Sequence, residues 1–499
     1  MNQLKVFFSW AFIAIFLNSC FDKNSSSSND IEGIWISTKE TSTDFGDAEN
    51  AVLLIKKDSD NKLTARCCFI GDNEFKMGWK FNEVQYDSIV KRIEIIDSDS
   101  DTLILTLDAE SKMLKGGVHS EDEIKPVNFV RTGKDFTNLF YPRTPDSQGQ
   151  ITYRYTKPKQ LDNYLLTDSI FDFVKDSAAF YNFIDRILQQ KSGHLESILI
   201  IKDGKLILEE YFFDYNPTKL HRINSCTKSI TSLLLGISLN RNKISDVEKP
   251  IFDFFPLYKS YKTLVKEKIT LKHTLTMTAG FNEDDDFEDH GPDNFIRYIL
   301  NSEMETKPGE KFRYSGKCSN LLGGIIYSLE KKQADEFAKE VLFSKLGITE
   351  FDWEKENGVV PCDAGLKLYP RDMAKIGLLV LNNGRWKGEQ IVPEEWIKES
   401  TKPYVAESDF FDYGFQWWYR SKRNKSWWND PVHGSKFEHD MFLALGAGGQ
   451  YIMVIRDLNM VIVTASSDYS HDGMEHQKIP MVIEEIVPLF EDALLEVKR

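Results

Sequence analysis

The sequence of 499 residues predicts a small all-β domain followed by a larger α+β domain. Residues 31–135 consist of short strand-like runs separated by clusters of Asp, Ser, Asn, Gly and Lys, a pattern typical of an antiparallel barrel or sandwich. In residues 166–499, strand patterns occur near both ends and helical patterns lie between them. This order favours one antiparallel sheet that is built from both ends of the segment and flanked by helices.

The first thirty residues predict export and attachment to a membrane. Lys5 precedes the apolar run Val6–Leu17, which is too short to span a membrane comfortably and is typical of a signal peptide. Leu17-Asn18-Ser19-Cys20 resembles the lipobox of bacterial lipoproteins, which implies a signal peptide over residues 1–19 and lipidation of Cys20. Residues 20–30 are then a polar tether, and we expect a lipoprotein anchored in the periplasm or at the cell surface. An ordinary signal peptide with an incidental cysteine is the alternative.

The β-rich segment contains strand-like runs such as Ala51–Ile55 and Thr102–Leu107. Gly33-Ile34-Trp35 near its start and Arg131 near its end resemble the lipocalin pattern. The segment contains no catalytic constellation, so we expect it to bind a ligand or to act as a spacer. Residues 136–165 are polar, contain three prolines and are predicted to form a linker.

The larger segment begins with a predicted β-hairpin over Ser197–Phe212 that turns at Asp203-Gly204. The apolar run Ser229–Leu239 has the length of a buried helix. The last predicted strands are Gln450–Ile455 and Met460–Ala465.

Composition excludes several classes of function. With 77 Asp and Glu against 62 Lys and Arg, the formal net charge is −15, and no basic stripe points to nucleic acid. Five cysteines follow Cys20 at irregular spacings, which argues against a disulfide framework and against a structural zinc site. The acidic run Glu283–His290 is interpreted as a solvated loop, although it could also be taken for a metal site.

The most informative motif places a serine and a lysine three residues apart, at Ser225 and Lys228, where the apolar helix begins. Positions i and i+3 share one helix face, so the hydroxyl and the ammonium can meet. A serine hydroxyl needs a neighbouring base or charge before it can attack a carbonyl, and this spacing supplies one. Ser59 and Ser88 begin the same pattern in segments that are predicted as turn or strand. The alternative for Ser225 is a structural helix cap.

From about Leu165 onwards the sequence resembles the β-lactamase-related serine hydrolases, which include class C β-lactamases, DD-peptidases, and related esterases and amide hydrolases. The motifs that carry the resemblance occur in the order seen in that family: Ile201–Lys205, Ser225–Lys228, Ile269–Gly280, Pro308–Ser315, Gly365–Gly377, Tyr413–Trp418 and Gly446–Tyr451. The resemblance implies a class C β-lactamase-like (DD-peptidase) fold over residues 166–499. It also implies an acyl-enzyme mechanism that uses no metal and no other cofactor.

The resemblance also assigns roles to individual residues. Ser225 is the expected nucleophile, and Lys228 with Tyr314 is expected to handle its proton. Many relatives carry an asparagine two residues after the tyrosine, but position 316 here is glycine. A second family pattern has a later asparagine, which Asn320 matches. Asn320 is therefore expected either to orient a substrate amide or to cap the helix that follows it.

This sequence departs further from the family at the third motif. β-Lactamases and DD-peptidases carry a Lys or a His on the strand that borders the site, but Leu445–Gln450 contains neither. Backbone N–H groups at Gly448, Gly449 and Gln450 are the predicted substrate and oxyanion contacts, with a glycine-rich turn that binds nothing as the alternative. Loss of the cation favours a neutral ester or amide over a substrate carboxylate.

The sequence as a whole predicts an exported serine hydrolase that acts on a small ester or amide, or on a substrate derived from the cell wall. The alternatives are a β-lactamase or DD-peptidase activity and a catalytically silent surface protein that binds a ligand. No nucleic-acid partner is expected, and the sequence does not predict the oligomeric state.

Overall fold

The computed structural model describes residues 30–38, 50–57, 60–71, 74–80, 83–96, 102–119, 124–146, 148, 150–191, 193–283, 295–408, 410–422, 437–467 and 478–491. The predicted signal peptide, the predicted tether up to residue 29 with Cys20, and residues 284–290 of the acidic run lie outside these ranges. Within the ranges, no helix is both long enough and apolar enough to cross a membrane.

The N-terminal region is a single antiparallel sheet. Its strands are β1 (Gly33–Ser37), β2 (Asn50–Lys57), β3 (Leu63–Gly71), β4 (Glu74–Lys80), β5 (Glu83–Asp87), β6 (Arg92–Ile96), β7 (Thr102–Leu107), β8 (Met113–His119) and β9 (Ile124–Arg131). The strand order is β4-β3-β2-β1-β9-β8-β7-β6-β5. Only residues 81–82 separate the two edge strands, β4 and β5, so the sheet has to curl until these edges approach each other. The all-β character predicted for this region is confirmed.

Alternate residues of this sheet form a buried core that includes Trp35, Leu53, Ile95 and Phe129. Trp35 pairs with Arg131 across β1 and β9. The Arg131 guanidinium lies over the Trp35 ring, 4.8 Å from the ring centroid. The two ends of the region on which the lipocalin resemblance depends are therefore in contact.

The larger domain combines short and long strands with helices. Its strands are β10 (Leu166–Thr167), β11 (Ser197–Lys202), β12 (Lys205–Tyr211), β13 (His221–Arg222), β14 (Asp352–Trp353), β15 (Leu366–Leu368), β16 (Arg385–Trp386), β17 (Glu389–Gln390), β18 (Val405–Ala406), β19 (Asp412–Tyr413), β20 (Trp418–Arg420), β21 (Met441–Gly446), β22 (Gln450–Ile455) and β23 (Met460–Ala465). The α-helices of the whole chain are α1 (Thr137–Phe140), α2 (Ser177–Leu188), α3 (Cys226–Arg241), α4 (Leu271–Leu275), α5 (Phe295–Asn301), α6 (Gly316–Glu330), α7 (Ala334–Ala338), α8 (Ser344–Leu346), α9 (Pro370–Leu381), α10 (Glu394–Ser400) and α11 (Lys478–Met481). Short 3-10 helices span Ile170–Asp172, Ile251–Asp253, Pro256–Tyr261, Lys266–Lys268 and Val487–Leu489, and π-helical turns span Lys339–Phe343 and Val482–Ile486.

The principal sheet of this domain has the order β10-β12-β11-β23-β22-β21-β20-β19-β18. β11 pairs antiparallel with β12 on one side and with β23 on the other, so the two ends of the segment meet in its centre. Only the two-residue strand β10 runs parallel to its neighbour. The β11–β12 hairpin turns at Asp203 and Gly204, whose φ values of 51° and 76° suit a type I′ turn. The predicted sheet from both ends of the segment is confirmed.

Two apolar cores cover the two faces of this sheet. One core packs α3, α6 and α9 against it, and the other packs α2 and the C-terminal helical turns. Helix α3 is buried from Cys226 to Leu239, which explains why its sequence, apart from Lys228, is apolar or small on every side. Burial on all sides leaves this helix little freedom to shift relative to the sheet.

The segment predicted as a linker contacts both domains. Leu139 and Phe140 of α1 form a small buried cluster with Val52 from the first domain and Tyr215 from the second. The Phe140 carbonyl accepts a hydrogen bond from Arg66 Nη1 at 3.0 Å. The two domains are therefore joined by packing as well as by the chain.

The close packing of α9 on the sheet yields a stability prediction. A Cβ at Gly377 would stand 2.4 Å from Val461 Cγ1 and 2.9 Å from Ile452 Cγ2. Gly377→Ala should therefore lower the free energy of unfolding by about 1–3 kcal/mol, although Ala is normally favoured over Gly inside a helix. Urea unfolding measures the change.

Gly133→Ala is the matched control, because a Cβ at Gly133 would meet nothing within 4 Å. It should change the free energy of unfolding by less than about 0.5 kcal/mol. Equal stability of the Gly377→Ala variant and the wild type would contradict the packing described here.

Candidate active site

Ser225 is held in a tight turn at the start of α3. The Ile223 N–H donates to the Leu366 carbonyl at 2.9 Å, which fastens the turn to β15. Asn224 then adopts a left-handed conformation with φ of 46°, and Ser225 returns to helical angles. Ser225 occupies the cap position, but its side chain accepts no helix N–H. The helix-cap alternative for its hydroxyl is therefore wrong.

Lys228 lies one helical turn beyond Ser225 and points at it. Its Nζ donates to Ser225 Oγ at 3.0 Å and to the Asp363 carbonyl at 2.9 Å. The side chain is buried, with 4 % of its surface exposed. A buried ammonium needs such acceptors, since an unpaired charge in the interior is costly. These two hydrogen bonds therefore hold the Lys228 ammonium next to the hydroxyl of Ser225, the predicted nucleophile.

Tyr314 completes the predicted trio. The Lys228 Nζ lies 4.8 Å from the centroid of its ring, and 38 % of Tyr314 is exposed. The ring packs against Trp418 with centroids 5.5 Å apart. The structure thus brings together the three residues that the sequence assigned to catalysis.

The loop that carries Tyr314 is fixed by the residue after it. Ser315 is the N-cap of α6, and its Oγ accepts the Cys318 N–H at 3.0 Å. Ser315 Oγ also donates to the Glu283 carboxyl. Burial raises the pKa of Glu283 above its ordinary value. Both contacts hold the residue next to Tyr314 in place.

Asn320 is buried inside α6 and does not cap a helix, because Ser315 already does so. Its Oδ1 accepts the Cys362 N–H at 2.7 Å, and its Nδ2 donates to Asp363 Oδ1 at 3.1 Å. The cap alternative for Asn320 is therefore wrong. Its side-chain contacts hold the segment at 362–363, the same segment whose carbonyl binds Lys228.

Asp363 is a site residue that the sequence reasoning missed. Its carbonyl accepts from Lys228, and its carboxylate lies beside Gly316. A Cβ at Gly316 would come within 2.9 Å of Asp363 Oδ2, so the carboxylate takes up room that a side chain there would need. The sequence signal that could have pointed to Asp363 is Gly316, because many relatives have an asparagine at that position.

The glycine-rich turn between β21 and β22 lies against Ser225, but in a different register from the prediction. Leu445, Gly446 and Ala447 line the cleft, and Asn224 Nδ2 donates to the Ala447 carbonyl at 2.7 Å. A Cβ at Gly446 would stand 2.4 Å from the Ile223 carbonyl oxygen, so only glycine permits this approach.

The predicted contacts at Gly448, Gly449 and Gln450 are not part of the cleft lining. The Gly449 N–H donates to the Gly446 carbonyl at 3.3 Å within the turn. Gln450 is fully buried, and its Oε1 accepts the Ser466 N–H at 3.2 Å. The turn therefore presents residues 445–447, rather than Gly448–Gln450, to the cleft that Ser225 lines.

Cys226 is a poor competitor for the nucleophile. It is fully buried, and its Sγ donates to the Gln450 carbonyl at 3.0 Å. Burial raises the pKa of its thiol well above the ordinary value, so the reactive thiolate is disfavoured.

Beside Ser225 opens a cleft of about 410 Å³. Its walls are largely aromatic, and the aromatic lining residues are Tyr314, Phe410, Phe411, Trp418 and Tyr451. Glu407 is the one charged side chain among the lining residues that the structure describes. No lysine, arginine or histidine lines this described part of the cleft.

Comparison with known families identifies the larger domain. The family model described as Beta-lactamase matches residues 184–480, which is more than half of the chain. The chain belongs to the Beta-lactamase family. The β-lactamase-related fold predicted for this domain is thereby confirmed, and the match spans the Ser225 turn, Tyr314 and the 446–450 turn.

Several members of this wider group are similar to the chain. Protein flp from Staphylococcus aureus strain N315 is 28% identical over 199 residues, which are 36% of this chain and 40% of that protein. The chain thus spans about two fifths of the length of flp. The 6-aminohexanoate-dimer hydrolase of Paenarthrobacter ureafaciens is 20% identical over 277 residues, which are 48% of this chain and 68% of that protein. A solved Bacillus anthracis structure, provisionally assigned as a 6-aminohexanoate-dimer hydrolase, is 22% identical with a TM-score of 0.49 and covers 59% of this chain and 79% of that chain.

The contact between Gly316 and Asp363 yields a second prediction. In Gly316→Ala, the new Cβ collides with the Asp363 carboxylate, so the variant should be less stable than the wild type by about 1–3 kcal/mol. Asp363→Ala removes the collision, and the double variant should be more stable than the sum of the single losses predicts. The coupling should be about 0.5–3 kcal/mol, measured by urea unfolding of all four proteins.

The double-mutant cycle of Gly133→Ala with Asp363→Ala is the control, since a Cβ at Gly133 would contact nothing. That pair should be additive. If the losses in the free energy of unfolding of Gly316→Ala and Asp363→Ala were also additive, the two residues would not be in contact.

Proposed function

We propose that the protein is a serine hydrolase that acts on an ester or amide through an acyl-enzyme on Ser225. The observation that carries the proposal is the contact of 3.0 Å between the buried Lys228 Nζ and Ser225 Oγ. A charge-assisted hydrogen bond of this kind stabilises negative charge as it develops on the attacking oxygen. Membership of the Beta-lactamase family supports the same chemistry.

In the proposed first step, Ser225 Oγ bonds to the carbonyl carbon, and the alcohol or amine of the substrate leaves. With Lys228 as the ammonium donor, the proton that Ser225 loses passes to the Tyr314 phenolate and then to the leaving group. In the second step, water attacks the acyl-enzyme, and the released serine takes back a proton. Every atom and proton is accounted for without a cofactor.

The N–H groups of Ser225 and Ala447 are the proposed donors to the oxyanion. Both residues line the cleft, and neither N–H is used in a turn or loop hydrogen bond of the described backbone. The contact of Asn224 with the Ala447 carbonyl brings the two segments together. Preorganised donors of this kind commonly lower the barrier of acyl transfer by about 3–4 kcal/mol each.

The lining of the cleft supports a substrate without a carboxylate at this position. The described lining residues include no cation, and Glu407 would repel a carboxylate. The name of the Paenarthrobacter relative, a 6-aminohexanoate-dimer hydrolase, is consistent with an amide or ester substrate. We therefore propose esters or amides in preference to β-lactams.

A fluorophosphonate probe tests the nucleophile. Wild-type protein should be labelled covalently, and Ser225→Ala should abolish labelling because the attacking oxygen is removed. Gel fluorescence and mass spectrometry of the labelled peptide provide the measurement.

Ser88→Ala is the matched control, because Ser88 and Lys91 have the same spacing as Ser225 and Lys228 but lie in an exposed turn. This variant should be labelled like the wild type. Labelling that persists in Ser225→Ala would assign the nucleophile elsewhere.

A pair of chromogenic substrates tests the substrate class. A short-chain nitrophenyl ester should be hydrolysed, whereas a chromogenic cephalosporin should be turned over at least about 100-fold more slowly, since its carboxylate meets no cation and faces Glu407. Initial rates, corrected for those of Ser225→Ala, give the comparison. Cephalosporin turnover without esterase activity would reverse the assignment.

A further inference from the structure

Part of the cleft wall is built on the β18–β19 hairpin at the edge of the principal sheet. The N–H groups of Glu407 and Ser408 both donate to the Phe411 carbonyl, at 3.1 and 3.0 Å. These bonds close the turn that follows β18. They hold Glu407 and Phe411 together in the lining of the cleft, which Ser225 also lines.

An aromatic surface connects this hairpin to the catalytic residues. The ring centroids of Phe411 and Trp418 are 5.7 Å apart, and those of Trp418 and Tyr314 are 5.5 Å apart. Tyr314 in turn lies against the Lys228 ammonium. A substrate whose carbonyl is at Ser225 would therefore lie beside Tyr314 and Trp418, in the cleft that Glu407 also lines.

The Glu407 carboxylate has no ion-pair or hydrogen-bond partner among the described residues. Glu399 on the neighbouring helix α10, by contrast, is paired with Lys402. An unpaired carboxylate next to several aromatic faces is suited to a cation, because the negative π faces and the carboxylate both attract positive charge. A neutral group gains neither interaction.

We propose that the cleft selects substrates with a positively charged amine, either a protonated amine or a quaternary ammonium, held by Glu407 and by Trp418. The inference rests on the proposed function, since it takes the carbonyl at Ser225 as the reacting group. The cleft volume of about 410 Å³ is within the range of small-molecule sites. The substrate class is therefore a small cationic ester or amide.

Binding to the Ser225→Ala variant tests this selection without any turnover. The probes are the nitrophenyl esters of 4-(trimethylammonio)butanoate and of 5,5-dimethylhexanoate, which differ only in the replacement of the nitrogen cation by carbon. The cationic ester should bind about tenfold more tightly in low salt, as one cation–π contact and one exposed ion pair together allow. Isothermal titration calorimetry gives the two dissociation constants.

Glu407→Gln in the same background should reduce the preference to about threefold or less, since only the aromatic contact remains. Glu407→Lys should abolish or reverse it. Glu395→Gln is the matched control: it removes an exposed carboxylate of the same domain that contacts Lys398, outside the cleft lining, and should leave the preference unchanged. High salt should weaken the preference for the cationic ester when residue 407 is glutamate, and it should leave the preference unchanged in Glu407→Gln.

Equal binding of the two esters, or a preference that survives Glu407→Gln in full, would overturn the proposal. Failure of the proposed hydrolase function is read separately, as the absence of Ser225-dependent hydrolysis of both esters. Because the dissociation constants are measured in Ser225→Ala, they test the cation site whether or not hydrolysis occurs.

Discussion

The buried ammonium of Lys228 is the constraint on which the geometry of the site depends. A charge in this position is tolerated only while Ser225 Oγ and the Asp363 carbonyl accept its hydrogen bonds. Asp363 is in turn held by Asn320 from α6. The lysine therefore couples the start of α3 to α6 and to the segment before β15. Removing one acceptor would leave a buried charge poorly solvated. The start of α3, α6 and the segment before β15 therefore have to take up their positions together.

A second buried charge lies next to the strand that precedes the Ser225 turn. Glu196 is fully buried between His194 and His221, the latter four residues before Ser225. Burial opposes ionisation, but the two imidazoles outweigh it and lower the pKa of Glu196 to about 2. The carboxylate therefore remains ionised at neutral pH and binds His221 of β13. β13, which precedes Ser225 and pairs with β15 outside the principal sheet, is thus also held by the contact of His221 with Glu196 just before β11.

The sequence predicted those parts of the site that local pattern determines. Ser225 and Lys228 share a helix face, and the apolar run behind them requires a buried helix, so their contact follows from the spacing together with this helix. Asp363 could not be found in this way. It lies 135 residues from Lys228 and binds it through a carbonyl, which every residue type carries. The register of the glycine turn was missed for a related reason, since the glycines of residues 446–449 permit more than one turn and the packing on Ile223 selects among them.

The residues proposed to carry out the reaction and those proposed to select the substrate lie in different parts of the fold. The groups proposed to act on the carbonyl lie at the start of α3 and just before α6, next to the larger core. The groups that face the remainder of a substrate lie on the β18–β19 turn and on Trp418 of β20, at that edge. Glu407 in this turn is exposed, so it can be exchanged without disturbing the core. A cleft that has no cation at the glycine turn and has a carboxylate at the edge turn can therefore retain the nucleophile of the Beta-lactamase family while it reverses the charge of the substrate that it accepts.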